Sequence, residues 1–212
     1  MESKRYKLMK NWTVLADDQT LKRTVNSLKA NGIEAVVVAS GKAAKKKVLD
    51  MLPEGAEVMT MTSVTLDSLG ITDEVNTSGR YHAVRPRLFS MDRQTEGLAM
   101  QKLGAAPEWT LGSVHAVTET GQVVIASNTG SQLAAYAYGS VHVIWVIGAQ
   151  KIVKNMDEAI KRVYDHVLPL ESERAIKAYG ATGSNVSKLL VINKEVNPTR
   201  ITLIIVKEKL GF

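Results

Sequence analysis

The longest apolar run in the chain is Val141-His142-Val143-Ile144-Trp145-Val146-Ile147-Gly148-Ala149. It is rich in β-branched residues, and a helical pattern with apolar positions every three to four residues follows from Asp157. A continuous apolar run of this kind is typical of a strand buried on both faces, as in a parallel sheet covered by helices. It is about half of the ~20 residues that a membrane-spanning helix needs. We therefore predict a central strand over 141–147.

Short β-branched runs also alternate with helical patterns on both sides of this strand. The other predicted strands cover residues 33–39, 58–61, 114–118, 123–126, 189–192 and 201–206. Such alternation predicts an α/β fold with a mostly parallel sheet flanked by helices. The whole chain, residues 1–212, has the length of one domain and can bury a core without disulfides.

The interval 71–112 lacks the alternation of apolar strand and helix patterns seen in the rest of the chain. It is polar, weakly periodic and rich in arginine. We expect helical excursions joined by loops that lie over one edge of the sheet. Because proline lacks a backbone N–H and restricts the residue before it, Arg85-Pro86-Arg87 is predicted to lie outside any helix interior.

The composition excludes several classes of chemistry. The chain has no cysteine, which excludes disulfides, zinc thiolate sites, iron–sulfur ligation by this chain and thiol catalysis. Residues 1–18 are polar and lack the apolar stretch of a secretory signal. We expect a cytoplasmic protein that does not enter a membrane. No covalently bound cofactor is predicted, and the identity of any other cofactor is left open.

The chain is basic, with a net charge of +6 and a pI near 9.4. Two interpretations stay open, a lysine-rich surface that favours solubility and a site that attracts an anionic ligand. Nucleic-acid binding is the least favoured, since aromatic residues are only 5% and do not interleave with the basic ones. The four histidines show no metal-ligand spacing, and phosphate-loop, nucleophile-elbow and dinucleotide fingerprints are absent from the sequence.

Small polar residues follow several predicted strands where a helix should begin. The clearest case is Ser127-Asn128-Thr129-Gly130-Ser131-Gln132, and Ser63 and Thr65 occupy a second. Unpaired backbone N–H groups at such junctions can receive a phosphate or carboxylate, although ordinary helix capping explains the same residues. A third and weaker case is Ala39-Ser40-Gly41-Lys42. In open α/β sheets these junctions share the edge at which ligands bind.

Two ionisable residues stand next to these junctions. Lys151 follows the central strand directly, so its ammonium group either faces the ligand edge or lies on the surface. Glu119 ends a predicted strand beside the tight turn Thr120-Gly121. Its carboxylate is either a catalytic nucleophile or general base, or a solvated turn residue.

An ordered set of short segments resembles the lactate-utilisation (LUD) family in its short stand-alone form. The set includes Ser63-Val64-Thr65-Leu66, Glu119-Thr120-Gly121, Ser127-Asn128-Thr129-Gly130-Ser131-Gln132, Gln150-Lys151-Ile152-Val153 and Pro198-Thr199-Arg200-Ile201. The resemblance implies a fold like that of the NagB/RpiA/CoA-transferase group and association with iron–sulfur proteins of lactate oxidation. Glu119-Thr120-Gly121 is similar to the Glu-Asn-Gly turn that carries the nucleophile of CoA transferases, with Thr120 in place of Asn.

Together these features predict a protein that binds a small anionic metabolite, namely a carboxylate, a phosphate or a CoA derivative. The predicted ligand-binding residues are Ser63, Thr65, Ser127, Asn128, Thr129, Gly130, Ser131, Gln132 and Lys151. Glu119 is the predicted catalytic residue if the chain is an enzyme of transferase or isomerase type, and no metal site is predicted. The alternative is a non-catalytic module that binds a metabolite or docks a partner, and self-association is left open.

Overall fold

The apolar run forms the central strand of a six-stranded parallel sheet. In a computed structural model, which describes residues 10–180 and 182–212, this strand is β7 (His142–Gly148), and six of its seven residues are buried. Residues 1–9 of the predicted polar N-terminal stretch lie outside the described part. Val143, Trp145 and Ile147 belong to one hydrophobic cluster, and Ile144 and Val146 belong to another. Successive side chains of a strand point to opposite faces, so β7 contributes to a core on both sides of the sheet.

Five more strands complete this main sheet. They are β1 (Glu34–Val38), β2 (Glu57–Thr60), β3 (His82–Ala83), β4 (Trp109–Gly112) and β10 (Ile201–Val206). Their spatial order is β1-β10-β7-β4-β2-β3, and every neighbouring pair is parallel. The predicted fold class, α/β with a mostly parallel sheet flanked by helices, is confirmed.

The described residues form eight α-helices, namely α1 (Asp18–Ala30), α2 (Gly41–Met51), α3 (Val64–Ser68), α4 (Ile71–Thr77), α5 (Val84–Ser90), α6 (Arg93–Ala105), α7 (Met156–Arg162) and α8 (Leu168–Tyr179). The first four pack against the two faces of the main sheet, with α1 on one face and α2 to α4 on the other. The first begins where Asp17 accepts a hydrogen bond from the Thr20 N–H at 2.7 Å, and Leu21 and Leu28 lie on its buried face. None of the helices within the described ranges is long and apolar enough to cross a membrane.

Four strands form a second, smaller sheet, which the sequence did not separate from the first. They are β5 (Ala116–Thr118), β6 (Val123–Ser127), β8 (Ile152–Val153) and β9 (Lys188–Ile192), in the order β8-β5-β6-β9. The predicted turn at Gly121, with φ of +81°, joins β5 and β6 as antiparallel neighbours. The expectation that 189–192 finishes the main sheet is wrong, because β9 pairs antiparallel with β6 instead.

The interval 71–112 contains three helices, but it does not end as a loop. Its last residues form β4, which lies between β2 and β7 and is buried throughout. Arg85-Pro86-Arg87, which was predicted to lie outside any helix interior, falls within α5, where Pro86 is the third residue and belongs to the first turn. In the first turn of a helix the backbone N–H has no intrahelical partner, and proline therefore loses nothing there.

The helix that the sequence predicts from Asp157 continues without a break into a further helix. A π-helical turn, Val163–Val167, joins α7 directly to α8. Single π-helical turns inside longer helices often occur at functional sites. Here Val163 and Val167 line the cavity described below.

Candidate functional site

A cavity of about 1320 Å³ lies between the carboxyl edge of the main sheet and the second sheet. Residues that come one to three positions after the ends of β2, β4 and β7 line one side, namely Ser63, Ser113 and Lys151. The loop after β6 lines another side, and α5, α6, the π-helical turn and α8 complete the wall. The cavity is therefore built from elements that are far apart in the chain.

All nine predicted ligand-binding residues line this one cavity. They are Ser63, Thr65, Ser127, Asn128, Thr129, Gly130, Ser131, Gln132 and Lys151. The structure thus brings together two of the three predicted strand-to-helix junctions. The third junction does not line the cavity, and its Gly41 N–H donates to Glu208 Oε2 at 3.1 Å. The role of the nine residues in binding stays a prediction.

The serines at the two junctions act as local caps. Ser63 Oγ accepts a hydrogen bond from the Leu66 N–H at 3.3 Å. Ser127 Oγ accepts from the Gly130 N–H at 2.8 Å and donates to Gln132 Oε1 at 3.0 Å. The helical turns that follow, α3 and the π-helical turn Ala135–Gly139, have only five residues each. The capping interpretation therefore describes both junctions, and helix dipoles contribute little to the cavity's charge.

Lys151 lies on the cavity wall and is only 3% exposed. Its ammonium nitrogen Nζ donates to Ser113 Oγ at 3.1 Å and to Thr65 Oγ1 at 3.3 Å. No Asp or Glu in the described ranges pairs with it. Burial, and secondly the nearby Arg162 guanidinium, lower the pKa of Lys151 well below its usual value. The two hydroxyls hold the amine in place without neutralising a charge.

His115 forms the neighbouring part of the wall. Its Nδ1 accepts a hydrogen bond from the Ala126 N–H at 3.0 Å, which leaves the proton of the neutral ring on Nε2. Burial, followed by the charges of Lys151 and Arg162, lowers the pKa of His115 to about 3. The imidazole is therefore neutral at physiological pH and can donate from Nε2.

Arg162, the last residue of α7, is fully buried behind this wall. Its Nη1 donates to the His115 carbonyl oxygen at 2.6 Å, whereas Nε and Nη2 have no partner among the described residues. Burial lowers the pKa of Arg162 to about 10, which still leaves the guanidinium cationic at neutral pH. The sequence analysis missed this residue. The signal available was its position three residues after Ala159, on the buried side of the helix.

The lining carries more positive than negative charge. Its charged side chains within the described ranges are Arg85, Arg93, Lys151, Arg174 and Glu171. Glu171 is already engaged by Arg174 in a bidentate pair, with both distances 2.7 Å. Arg85 is held by the Thr60 carbonyl oxygen at 2.9 Å and by Thr62 Oγ1 at 3.0 Å. A cation excess with a single, paired carboxylate favours an anionic ligand.

Glu119, the predicted catalytic residue, does not line the cavity. It follows β5 as predicted, but its carboxylate pairs with Arg23 of α1 at 2.9 Å. Its side chain is 29% exposed. Proximity to the hairpin turn did not reveal which way the side chain points. No group of three or more His, Asp or Glu that could hold a metal ion occurs in the part of the chain that the structure describes.

One solved structure agrees with this architecture over most of its length. A crystal structure of a DUF162 family protein from Deinococcus radiodurans superposes with a TM-score of 0.55 at 12% identity, covering 91% of this chain and 99% of that one. Ribose 5-phosphate isomerase from Plasmodium falciparum gives a TM-score of 0.33 at 12% identity, covering 54% of this chain and 53% of that one. No curated protein matches the sequence.

The family model described as the LUD domain matches residues 21–206. This range includes both sheets and every helix except the first turn of α1. The resemblance that the short sequence segments indicated is confirmed, and the chain belongs to the LUD domain family.

Proposed function

We propose that this protein binds a small anionic metabolite in the cavity between its two sheets. The observation that carries the proposal is the buried Arg162 guanidinium beside the buried Lys151 amine, two basic groups for which the described residues supply no carboxylate. Buried charges are normally paired, because removing an ion from water costs several kcal/mol. A bound anion would provide the missing partner.

The hydroxyl-rich loop after β6 would hold the anion's oxygens. Thr129 and Ser131 are exposed at the cavity mouth, and Asn128 extends the polar rim. Ser127 and Gln132 would act by fixing the loop, since they bond to each other and to the loop backbone. Ser63 and Thr65 would close the opposite wall.

The cavity's size favours a ligand larger than a free three-carbon acid. Its volume of about 1320 Å³ exceeds the range of roughly 300–1,000 Å³ that is usual for small-molecule sites. A phosphorylated or CoA-linked carboxylate would fill more of it than lactate alone. Membership of the LUD domain family supports a role in lactate-type metabolism.

An accessory role beside iron–sulfur proteins of lactate oxidation is part of this proposal. The chain has no cysteine, so any thiolate-held cluster in such a system would belong to the partner. Ionisable groups with shifted pKa values in the cavity favour catalysis over passive binding. A non-catalytic metabolite-binding module is the alternative, and it predicts binding without turnover.

Ligand-dependent thermal stabilisation tests the proposal. L-lactate, inorganic phosphate and acetyl-CoA would each be titrated, with lactamide as the uncharged counterpart of lactate. A ligand at 100 times its Kd stabilises the folded state by about 2.7 kcal/mol. We expect a shift for at least one anion and none for lactamide.

Two matched variants locate the binding. Lys151→Met should weaken the anion-induced shift, because it removes the buried amine and its hydrogen bonds, whereas Lys154→Met, at an exposed position nearby, should preserve it. Absence of stabilisation by every anion, or equal shifts in both variants, would contradict binding in this cavity.

A further inference from the structure

Lys151 is positioned to react as well as to bind. We propose that its amine is a covalent nucleophile that forms an imine with an aldehyde or ketone group of the bound anion. This inference rests on the proposed function, since it requires an anionic ligand in the cavity. It adds a chemical class to that ligand: a carbonyl compound that carries a carboxylate or a phosphate.

The contacts of Lys151 are those of an amine that can be neutral. Within the described residues, Nζ is hydrogen-bonded only to the hydroxyls of Ser113 and Thr65, at 3.1 and 3.3 Å. A hydroxyl can accept from an ammonium group or donate to the lone pair of a neutral amine. A carboxylate partner would hold the proton on nitrogen, and Lys151 has none among the described residues. The geometry therefore permits the unprotonated, nucleophilic form.

The surroundings also disfavour the protonated form. Lys151 is 3% exposed, so its ammonium form would be poorly solvated. Arg162 adds a second positive charge nearby, and it too is buried without a carboxylate. A lysine that is desolvated or placed beside another cation is a recognised way to activate an amine nucleophile. The lowered pKa of Lys151 agrees with these two causes.

The reaction needs no oxidant or reductant. The Nζ lone pair attacks the carbonyl carbon, a C–N bond forms, and the carbonyl π electrons move to oxygen. That oxygen takes the proton released by nitrogen, which gives a carbinolamine. The carbinolamine then loses its hydroxyl group and the remaining N–H proton as water, which leaves the C=N bond. Ser113 and Thr65 hydroxyls, both within hydrogen-bonding distance of Nζ, can pass these protons.

The charge of the cavity selects which carbonyl compounds react. Arg85 and Arg93 line the cavity with Lys151, and Glu171 is occupied by Arg174. When Lys151 is neutral, these arginines and the buried Arg162 still attract an anion. A neutral ketone of the same size would lack this attraction and would bind less often beside Nζ.

Reductive trapping tests the proposal directly. The full chain would be incubated with sodium cyanoborohydride and one of three probes: pyruvate, glyceraldehyde 3-phosphate or uncharged acetone. Peptide mass mapping would then locate the reduced adducts. Each unit by which a pKa falls raises the neutral amine fraction about tenfold, so labelling of Lys151 should exceed that of Lys154 by at least about tenfold. Pyruvate and glyceraldehyde 3-phosphate separate a carboxylate from a phosphate preference, and acetone should label little.

A matched pair of variants controls for surface labelling. Lys151→Arg should remove the dominant adduct, and Lys154→Arg should leave it unchanged. The map of the unmodified chain identifies the labelled residue even if Lys151→Arg folds poorly. Equal labelling of exposed lysines, with none at Lys151, would overturn the proposal.

The two proposals fail separately. L-lactate and inorganic phosphate have no carbonyl that forms an imine, so their stabilising effect reports binding alone. Stabilisation by these anions without an adduct at Lys151 would overturn the imine and leave anion binding intact. Absence of both would overturn both proposals.

Discussion

Arg162 donates a hydrogen bond from its guanidinium Nη1 to the carbonyl oxygen of His115 at 2.6 Å. This contact fixes the end of α7 against the wall of the cavity, because His115 lies in that wall and directly precedes β5. It is the one polar contact that the described residues give to the buried guanidinium. A cation held in this way serves the electrostatics of the cavity more than the stability of the fold.

Replacing Arg162 by methionine should leave the free protein as stable as before or more stable. The change removes the cost of keeping an unpaired cation away from water, which is several kcal/mol, and it leaves the His115 carbonyl oxygen without a donor, which costs about 1–3 kcal/mol. The same change should weaken anion-induced stabilisation and raise the pKa of Lys151, which reduces reductive trapping near neutral pH. Chemical denaturation and thermal shift measure these effects, with the exposed neighbour Lys161→Met as the control. A large loss of stability would show that the bond to His115 is structurally essential.

His115 should make the fold sensitive to acid. Its pKa is lowered from 6.5 to about 3 in the folded state, so between these values the unfolded chain binds a proton that the folded chain does not. Its contribution is fully present above pH 6.5, and stability should fall as the pH drops through this window. The slope from this residue is about 1.4 kcal/mol per pH unit.

The variant His115→Asn isolates that contribution. The asparagine Oδ1 can take over the acceptor role of Nδ1 toward the Ala126 N–H, but it does not titrate. The difference in unfolding free energy between the two proteins should shrink as the pH falls below 6.5. A difference independent of pH would show that His115 has the same pKa in the folded and unfolded states.

Ser127 should matter more for the binding loop than its exposed neighbours. Ser127→Ala removes the acceptor for the Gly130 N–H and the donor to Gln132, at a cost of about 1–3 kcal/mol. Thr129→Ala, at an exposed position, should change the unfolding free energy by no more than about 0.5 kcal/mol. Urea denaturation would compare them. Equal effects would mean that the loop is not held by Ser127.

Glu119→Gln should have little effect on the cavity. The pair with Arg23 is partly exposed, and such pairs contribute about 0–1 kcal/mol. We expect unchanged anion-induced stabilisation, and unchanged turnover once an assay exists. Arg23→Gln should match it in stability, since it breaks the same pair. Loss of ligand response in Glu119→Gln alone would return this carboxylate to the site.

The sequence predicted best what depends on local pattern. Successive residues of β7 belong alternately to the two core clusters, and all of these residues are apolar. Burial of the strand on both faces could therefore be predicted from the sequence. Strand β4, only four residues long, gave no comparable signal between α6 and the next loop. The division into two sheets depends on pairing between β6 and β9, about sixty residues apart, which periodicity does not encode.

For the site as well, local sequence pattern predicted some residues, and the residues brought in by tertiary packing were not predicted. Small polar residues at strand-to-helix junctions pointed to the loop after β6 and to Ser63 and Thr65, because such junctions can receive an anion. Arg162 was missed because arginine is seldom fully buried, and its burial here follows from tertiary packing. The role of His115 in the cavity wall also depends on tertiary packing, because its ring meets the Ala126 N–H of the neighbouring strand. Glu119 was misplaced because a hairpin position does not determine which neighbour a side chain meets.

The unmatched guanidinium of Arg162 has a consequence for the protein's lifetime in the cell. On the function proposed above, a bound anion would relieve the repulsion between this guanidinium and its basic neighbours, so the bound form would unfold less often. Proteases cleave chains mainly when they unfold, so they would degrade molecules without a bound anion faster than molecules with one. The abundance of this protein would accordingly rise and fall with the supply of its metabolite.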